Sequence, residues 1–117
     1  MAVTETAVHG SVKKIVWAWT SDGSGDASEA TTKAYDGKLI GLTTIPDAVA
    51  APSVDYDIVV TDSDDHDVLL GAGADRHTSA TEHVAQASLG AVAGSKLTLV
   101  VSNAGAAKEG VVVLYVR

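Results

Sequence analysis

The stretch Thr61 to His83, TDSDDHDVLLGAGADRHTSATEH, gathers six Asp or Glu residues, three of the chain's four His and one of its two Arg within 23 residues. Carboxylates and imidazoles at this density are the raw material of a cation site. Asp62, Asp64, Asp65 and Asp67 offer hard oxygen donors of the kind calcium takes. The spacing does not follow the helix-loop-helix calcium pattern, which needs Gly at its sixth position and Glu at its twelfth. Counted from Asp62, those positions hold Asp67 and Gly73. The simpler reading of the run is a turn in which Asp and Ser side chains bond their own backbone. The four aspartates stay as weak metal candidates.

The imidazoles give less. His66, His77 and His83 are separated by ten and five residues, without the short spacing that puts two ring nitrogens on one face. No G-x-S-x-G elbow accompanies any Ser, and Gly71-Ala72-Gly73 lacks the third glycine of a dinucleotide loop. That glycine pair reads as a bend permitting close approach to a neighbour. Asp75 and Arg76 are adjacent and point opposite ways on an extended chain, so each is expected to pair elsewhere, for instance on another subunit. Trp17 and Trp19 would stack sugars or bases if exposed, but they alternate on an apolar side and read as core. No catalytic residue, metal or cofactor is assigned.

The elements that must position these residues are strands. At 117 residues one domain is expected, burying about two-thirds of the unfolded-chain surface. The chain has no Phe and no Cys, which excludes disulfides and thiolate chemistry. Its apolar mass lies in Val and Ala, and β-branched Val suits pleated sheet. Residues 10–20 alternate with Lys13, Ile15, Trp17 and Trp19 on the core side. Residues 21–32 read as loop, Asp36-Gly37 as a tight turn, and 38–45 as a strand. In the next strand Val54, Tyr56, Ile58 and Val60 face inward, with Asp55 and Asp57 in water. Residues 68–76 form a short apolar piece broken by glycines, and 78–89 are either a short helix or a strand. Lys96–Val101 and Gly110–Arg117 read as strands joined by a hairpin connection. The last is apolar on both faces, which places it centrally or under a neighbouring subunit. The expectation is an all-β fold, a β-sandwich or jelly-roll-like barrel with at most one short helix, in which residues 1–9 are a flexible N-terminal arm and 10–117 a single β domain.

A net charge of −7, with eight scattered positive residues, works against nucleic-acid binding and favours solubility. The longest uninterrupted apolar run, Val111 to Val116, is far short of the roughly 20 residues of a membrane helix.

Taken together, GSVKKIVWAWTSDGSGDAS, TTKAYDGKLIGLTTIPD, YDIVVTDSDDHDVLLGAGADR and AGSKLTLVVSNAGAAKEGVVVLYVR resemble small virion proteins of tailed bacteriophages, most of all capsid decoration (cement) proteins. The resemblance covers most of the chain after residue 9. It implies a β-rich homo-oligomer, dimer or trimer, made in the host bacterial cytoplasm. Such a protein would bind the major capsid protein on the outside of the assembled shell, without catalytic residues. The interface candidates are Val3 and His9 in the arm, Gly71 and Gly73 in the bend, and Val111, Val113, Tyr115 and Arg117 in the last strand. The alternatives are a tail or fibre component with a receptor- or glycan-binding surface and, further off, a metal-dependent enzyme using the His and Asp residues.

Overall fold

A computed structural model describes residues 2–117. Nine strands make two sheets: β1 (Ala2–Val8), β2 (Lys13–Thr20), β3 (Ala27–Ala30), β4 (Tyr35–Pro46), β5 (Asp57–Thr61), β6 (Glu82–Ala85), β7 (Ala91–Ser95), β8 (Thr98–Ser102) and β9 (Glu109–Val116). The larger sheet has the order β1-β2-β9-β4-β6, with β7 pairing the first part of β4; the smaller has the order β3-β8-β5. Every pairing is antiparallel. The expected all-β sandwich is present, and its helical content is one 3-10 turn, Gln86–Ser88.

The core lies between the sheets. Ile15, Trp17 and Trp19 of β2, Leu39 and Leu42 of β4, and Val112, Leu114 and Val116 of β9 meet Ile58 and Val60 of β5 and Leu99 and Val101 of β8. The two tryptophans supply the bulk that Phe supplies elsewhere. Trp19 lies against Tyr56 with ring centroids 5.7 Å apart and planes tilted by 46°, a favoured aromatic geometry. Trp19 also covers Gly110 so closely that a Cβ there would stand 2.6 Å from its ring. The apolar final strand takes the central position its composition calls for, between β2 and β4.

Several connections differ from expectation. Residues 2–8, read as an arm, form β1, paired in unbroken register with β2 from Ala2–Thr20 to Val8–Lys14. Alternating Val, Thr and Ala suit a strand, and a neighbouring strand satisfies backbone that an arm would leave in water. Residues 103–108 do not close a hairpin, because β8 and β9 belong to different sheets. The loop crosses between them with left-handed backbone at Asn103, Gly105 and Ala107, and is tied down by Ala104 N–H on Gly25 O (3.1 Å) and Ser53 N–H on Ala104 O (2.8 Å). Asp36-Gly37 is a register irregularity inside β4, not a turn. Gly37 has φ 132°, and a Cβ there would stand 2.2 Å from the Arg117 carbonyl oxygen.

Within residues 21–32, Ala27–Ala30 is a strand. The preceding turn is organised by Asp22, whose carboxylate accepts from Ser24 N–H (2.9 Å) and Asp26 N–H (3.1 Å). The Asp26 and Ser24 N–H groups hold this carboxyl below the ordinary aspartate range. Tyr56, Ile58 and Val60 face the core as expected, but Val54 is 70% exposed in the turn before β5. Residues 68–76 are successive tight turns that bury Val68 and Leu69 and leave Leu70 out. Both options for residues 78–89 occur: a four-residue strand, then the 3-10 turn.

Candidate functional site

The acidic run is occupied with its own fold. Asp62 Oδ1 accepts from Asp64 N–H (2.9 Å) and His66 N–H (3.0 Å), closing the turn after β5. Asp67 accepts from Leu69 N–H (3.0 Å) and Val60 N–H (3.4 Å) through Oδ1, and from Gly71 N–H (2.9 Å) through Oδ2. Asp65 sits in the left-handed region at φ 59°, and Asp64 and Asp65 are exposed. Short acidic side chains are the residues that tolerate such backbone and bond to it.

The histidines go separate ways. His66 is exposed beside this turn. His77 Nδ1 accepts from Ala80 N–H (2.8 Å) and Ser79 N–H (3.0 Å), and the His77 backbone N–H donates to Glu82 Oε1 at 2.7 Å. His83 Nδ1 is 2.8 Å from Thr43 Oγ1 on the neighbouring strand. Among the described residues no three His, Asp or Glu side chains come together in a metal-binding arrangement.

Within the chain, Asp75 is held through its backbone N–H and Arg76 through both its backbone and its guanidinium. Asp75 N–H donates to Asp57 Oδ1 (2.9 Å), whose other oxygen accepts from Asn103 Nδ2 (2.6 Å). Arg76 donates its N–H to Tyr56 O (2.7 Å) and places its guanidinium 3.7 Å from Glu82. Trp17 and Trp19, 0% and 1% exposed, offer no stacking platform.

The two glycines of the bend sit in different surroundings. Gly73 packs on its own molecule, where a Cβ would meet the Ile58 carbonyl oxygen at 2.2 Å. Gly71 faces open space and supplies a φ of 84°. Of the interface candidates in the former arm, Val3 is paired with Trp19 and packs on the core. His9 stacks on Tyr35 with centroids 5.5 Å apart and planes 13° from parallel.

Burial raises the Tyr35 hydroxyl above the ordinary tyrosine range, and the charge of Glu5 acts the same way. Burial likewise raises Tyr56; Thr44 and Arg76 oppose the shift, and Glu82 adds to it.

What remains is a surface. Strand registers put Val111, Val113 and Tyr115 on the side of the larger sheet that faces away from the core, in three rows across neighbouring strands. One row runs Thr4, Ala18, Val111, Ile45. The next runs Thr6, Val16, Val113, Thr43, His83. The third runs Val8, Lys14, Tyr115, Gly41, Ala85. Lys14 is the one Lys, Arg, Asp or Glu in these rows, although the chain carries 23 such residues. A solvated antiparallel face ordinarily alternates to polar side chains; here its centre is aliphatic. Tyr115 leans over Gly41, whose missing Cβ leaves its ring room at 3.3 Å. Val113 is only 7% exposed among its neighbours. At one end the face dips into a concavity of about 210 Å³ floored by Ala18 and Val111 and rimmed by Asp47 and Glu109.

Arg117 ends β9 at the opposite edge of this face, its backbone bonded to Lys38 in both directions at 2.8 Å. Val16, Ala18 and Ile45 are the part of the face that sequence reasoning missed. The signal was there in the second side of the residue 10–20 alternation. Compared with models of known protein families and with curated protein sequences, the chain matches none.

Proposed function

We propose that the protein acts by docking rather than by catalysis, as a structural subunit of a tailed-phage virion that binds the outside of the assembled capsid and stabilises it. The observation that carries this reading is the aliphatic, almost uncharged outer face centred on Val16, Val111, Val113 and Tyr115. Central interface patches are depleted in charge and enriched in apolar and aromatic groups. Of the carboxylates and imidazoles that suggested chemistry, Asp62, Asp67 and His77 are engaged in turns.

The resemblance to decoration proteins supplies the partner. A subunit that binds the assembled lattice but not loose capsid subunits stabilises the shell by mass action, multiplied over many sites. The charged remainder of the surface favours solubility of the unbound subunit.

The first test is the ratio of this chain to the major capsid protein in purified virions, by quantitative mass spectrometry. A near-simple ratio supports decoration, a few copies move the protein to the tail, and absence from the particle refutes the virion reading. The second is re-addition of Ala18→Lys protein to shells lacking the subunit. Ala18 is exposed, so the fold should persist, while a charge in the middle of an apolar contact should abolish occupancy. Full occupancy by the variant would remove this face from the account.

A further inference from the structure

We propose that the free edge of β1 pairs with β1 of a second copy, antiparallel about a two-fold axis, to join the two larger sheets into one continuous sheet.

The edges of the sandwich are not equivalent. The outer side of β5 is covered by its own chain: Val68 N–H bonds Val60 O (2.9 Å), Ile58 N–H bonds Gly73 O (2.8 Å) and Arg76 N–H bonds Tyr56 O (2.7 Å). β3 and β6 are four residues each, and β6 runs straight into the 3-10 turn. β7 has five residues, with a positive φ at Gly94 and a register shift in its ladder with β4. β1 has seven residues in unbroken register, and among the described residues its backbone makes no hydrogen bond outside its ladder with β2. Natural sheets guard such an edge with charged side chains, Pro, a bulge, an inward-pointing charge or a covering loop; β1 has no Lys, Arg, Pro or bulge, and of these devices it carries only an inward-turned carboxylate. Its one charge, Glu5, is turned beneath the sheet, where Oε1 accepts from Thr32 N–H at 3.0 Å.

The occupant is a second copy because β1 complements itself. Its sequence is nearly symmetric about Glu5: Thr4 matches Thr6, Val3 matches Ala7 and Ala2 matches Val8. An antiparallel copy centred on Thr4 pairs residues 2–6, and one centred on Thr6 pairs residues 4–8, so that Glu5 is the one residue met that is not Thr, Val or Ala. A two-fold axis at Thr4 or Thr6 sets Glu5 across from Val3 or Ala7 of the other copy and avoids opposing the two carboxylates directly. The underside of the incoming strand falls over an opening of about 330 Å³ between β1 and β3, lined by Val3, Glu5, Glu29 and Thr32. Short side chains such as Val3 and Ala7 suit it. Because the other edges are short, interrupted or covered, pairing β1 with β1 closes the assembly as a dimer instead of propagating a fibre. The dimer does not depend on the virion assignment, and it merges two uncharged outer faces on the same side of one sheet.

The absence of Cys from the chain makes the test direct. Sedimentation equilibrium of the full chain, from micromolar to millimolar concentration, should give twice the 11.9 kDa chain mass. Thr6→Lys, at an exposed outer-face position, should halve that mass while leaving the circular dichroism spectrum unchanged. Under mild oxidation, either Thr4→Cys or Thr6→Cys should form a disulfide dimer; Ala85→Cys on the opposite edge should not. A wild-type monomer throughout, a Thr6→Lys dimer, or cross-linking through Ala85→Cys equal to that through both β1 positions would overturn the proposal.

Discussion

Replacing Gly73 by Ala separates a bend that serves the fold from one that serves a neighbouring subunit. The added Cβ would lie 2.2 Å from the Ile58 carbonyl oxygen and 3.0 Å from Leu69 Cδ1. The first contact is against backbone of β5, and Leu69 is fully buried, so neither neighbour can swing away. Relief requires the 73–76 segment to move off β5. That movement strains the 2.8 Å bond from Ile58 N–H to Gly73 O and the 2.7 Å bond from Arg76 N–H to Tyr56 O. Overpacking of this kind costs about 1–3 kcal/mol, and a buried N–H left without its acceptor adds about 1–3 kcal/mol. The expected loss is roughly 2–6 kcal/mol, a large share of the roughly 5–15 kcal/mol that holds a domain folded. Urea unfolding followed by tryptophan fluorescence should show a lower midpoint at nearly unchanged slope.

Two controls bracket the result. Gly71→Ala meets no atom but must hold a φ of 84°, at about 1 kcal/mol. Gly23→Ala meets nothing and has an ordinary φ, so it should stay within about 0.5 kcal/mol of wild type. A Gly73→Ala protein as stable as Gly23→Ala would refute the packing argument and return the bend to the list of intersubunit contacts.

Two further perturbations test the polar groups. Tyr35 and Tyr56 are raised chiefly by burial, so their contribution to stability is intact below the ordinary tyrosine pKa of about 10 and is lost as pH rises through the higher folded values. In a Tyr115→Phe background, tyrosinate absorbance should therefore rise late and together with loss of the folded circular dichroism signal; early titration without unfolding would contradict their burial. Asp67→Ala removes the acceptor for three backbone N–H groups and should cost about 1–3 kcal/mol. Millimolar CaCl2 should leave the wild-type Tm unchanged, because the Asp62 and Asp67 carboxylates are bonded to turn N–H groups; a rise in Tm abolished by Asp67→Ala would restore the cation reading.

The strands with strict period-two patterns were legible, because a one-residue slip would bury the wrong side. Residues 13–20 and 56–60 each pointed their apolar set inward as their alternation required. The partnering of strands was not legible where local chemistry had two uses. SNAGAAKE has the glycine and asparagine of a hairpin, yet the same left-handed backbone serves equally to cross from one sheet to the other. Asp36-Gly37 likewise supplies the positive φ of a turn, and β4 uses that φ within the strand because the end of β9 passes too close for a Cβ. The candidate site was half visible: Val111, Val113 and Tyr115 were read from the doubly apolar last strand, whereas Val16, Ala18 and Ile45 needed the strand order that lays them beside it. β1 was missed because seven residues of Val, Thr, Ala and Glu carry little apolar mass. Their pairing with β2 is a tertiary fact.

Charge placement ties these observations together. The chain's 15 Asp and Glu outnumber its 8 Lys and Arg, yet three rows spanning five strands of the larger sheet hold a single Lys and no carboxylate. Solubility in a sandwich this small is achieved more simply by scattering charge over every exposed side. Keeping carboxylates out of these rows leaves one broad face whose hydration is weak and whose removal from water is favourable at about 25 cal/mol per Å² of apolar area. The net charge of −7 opposes non-specific association between copies. On the proposed docking, encounters that match the uncharged face are favoured. Val113, already 7% exposed in the isolated chain, loses almost no hydration on contact. The gain must come from Val16, Ala18, Ile45, Val111 and Tyr115 around it, and these are the positions where a single Lys should disrupt docking most while the sandwich beneath remains folded.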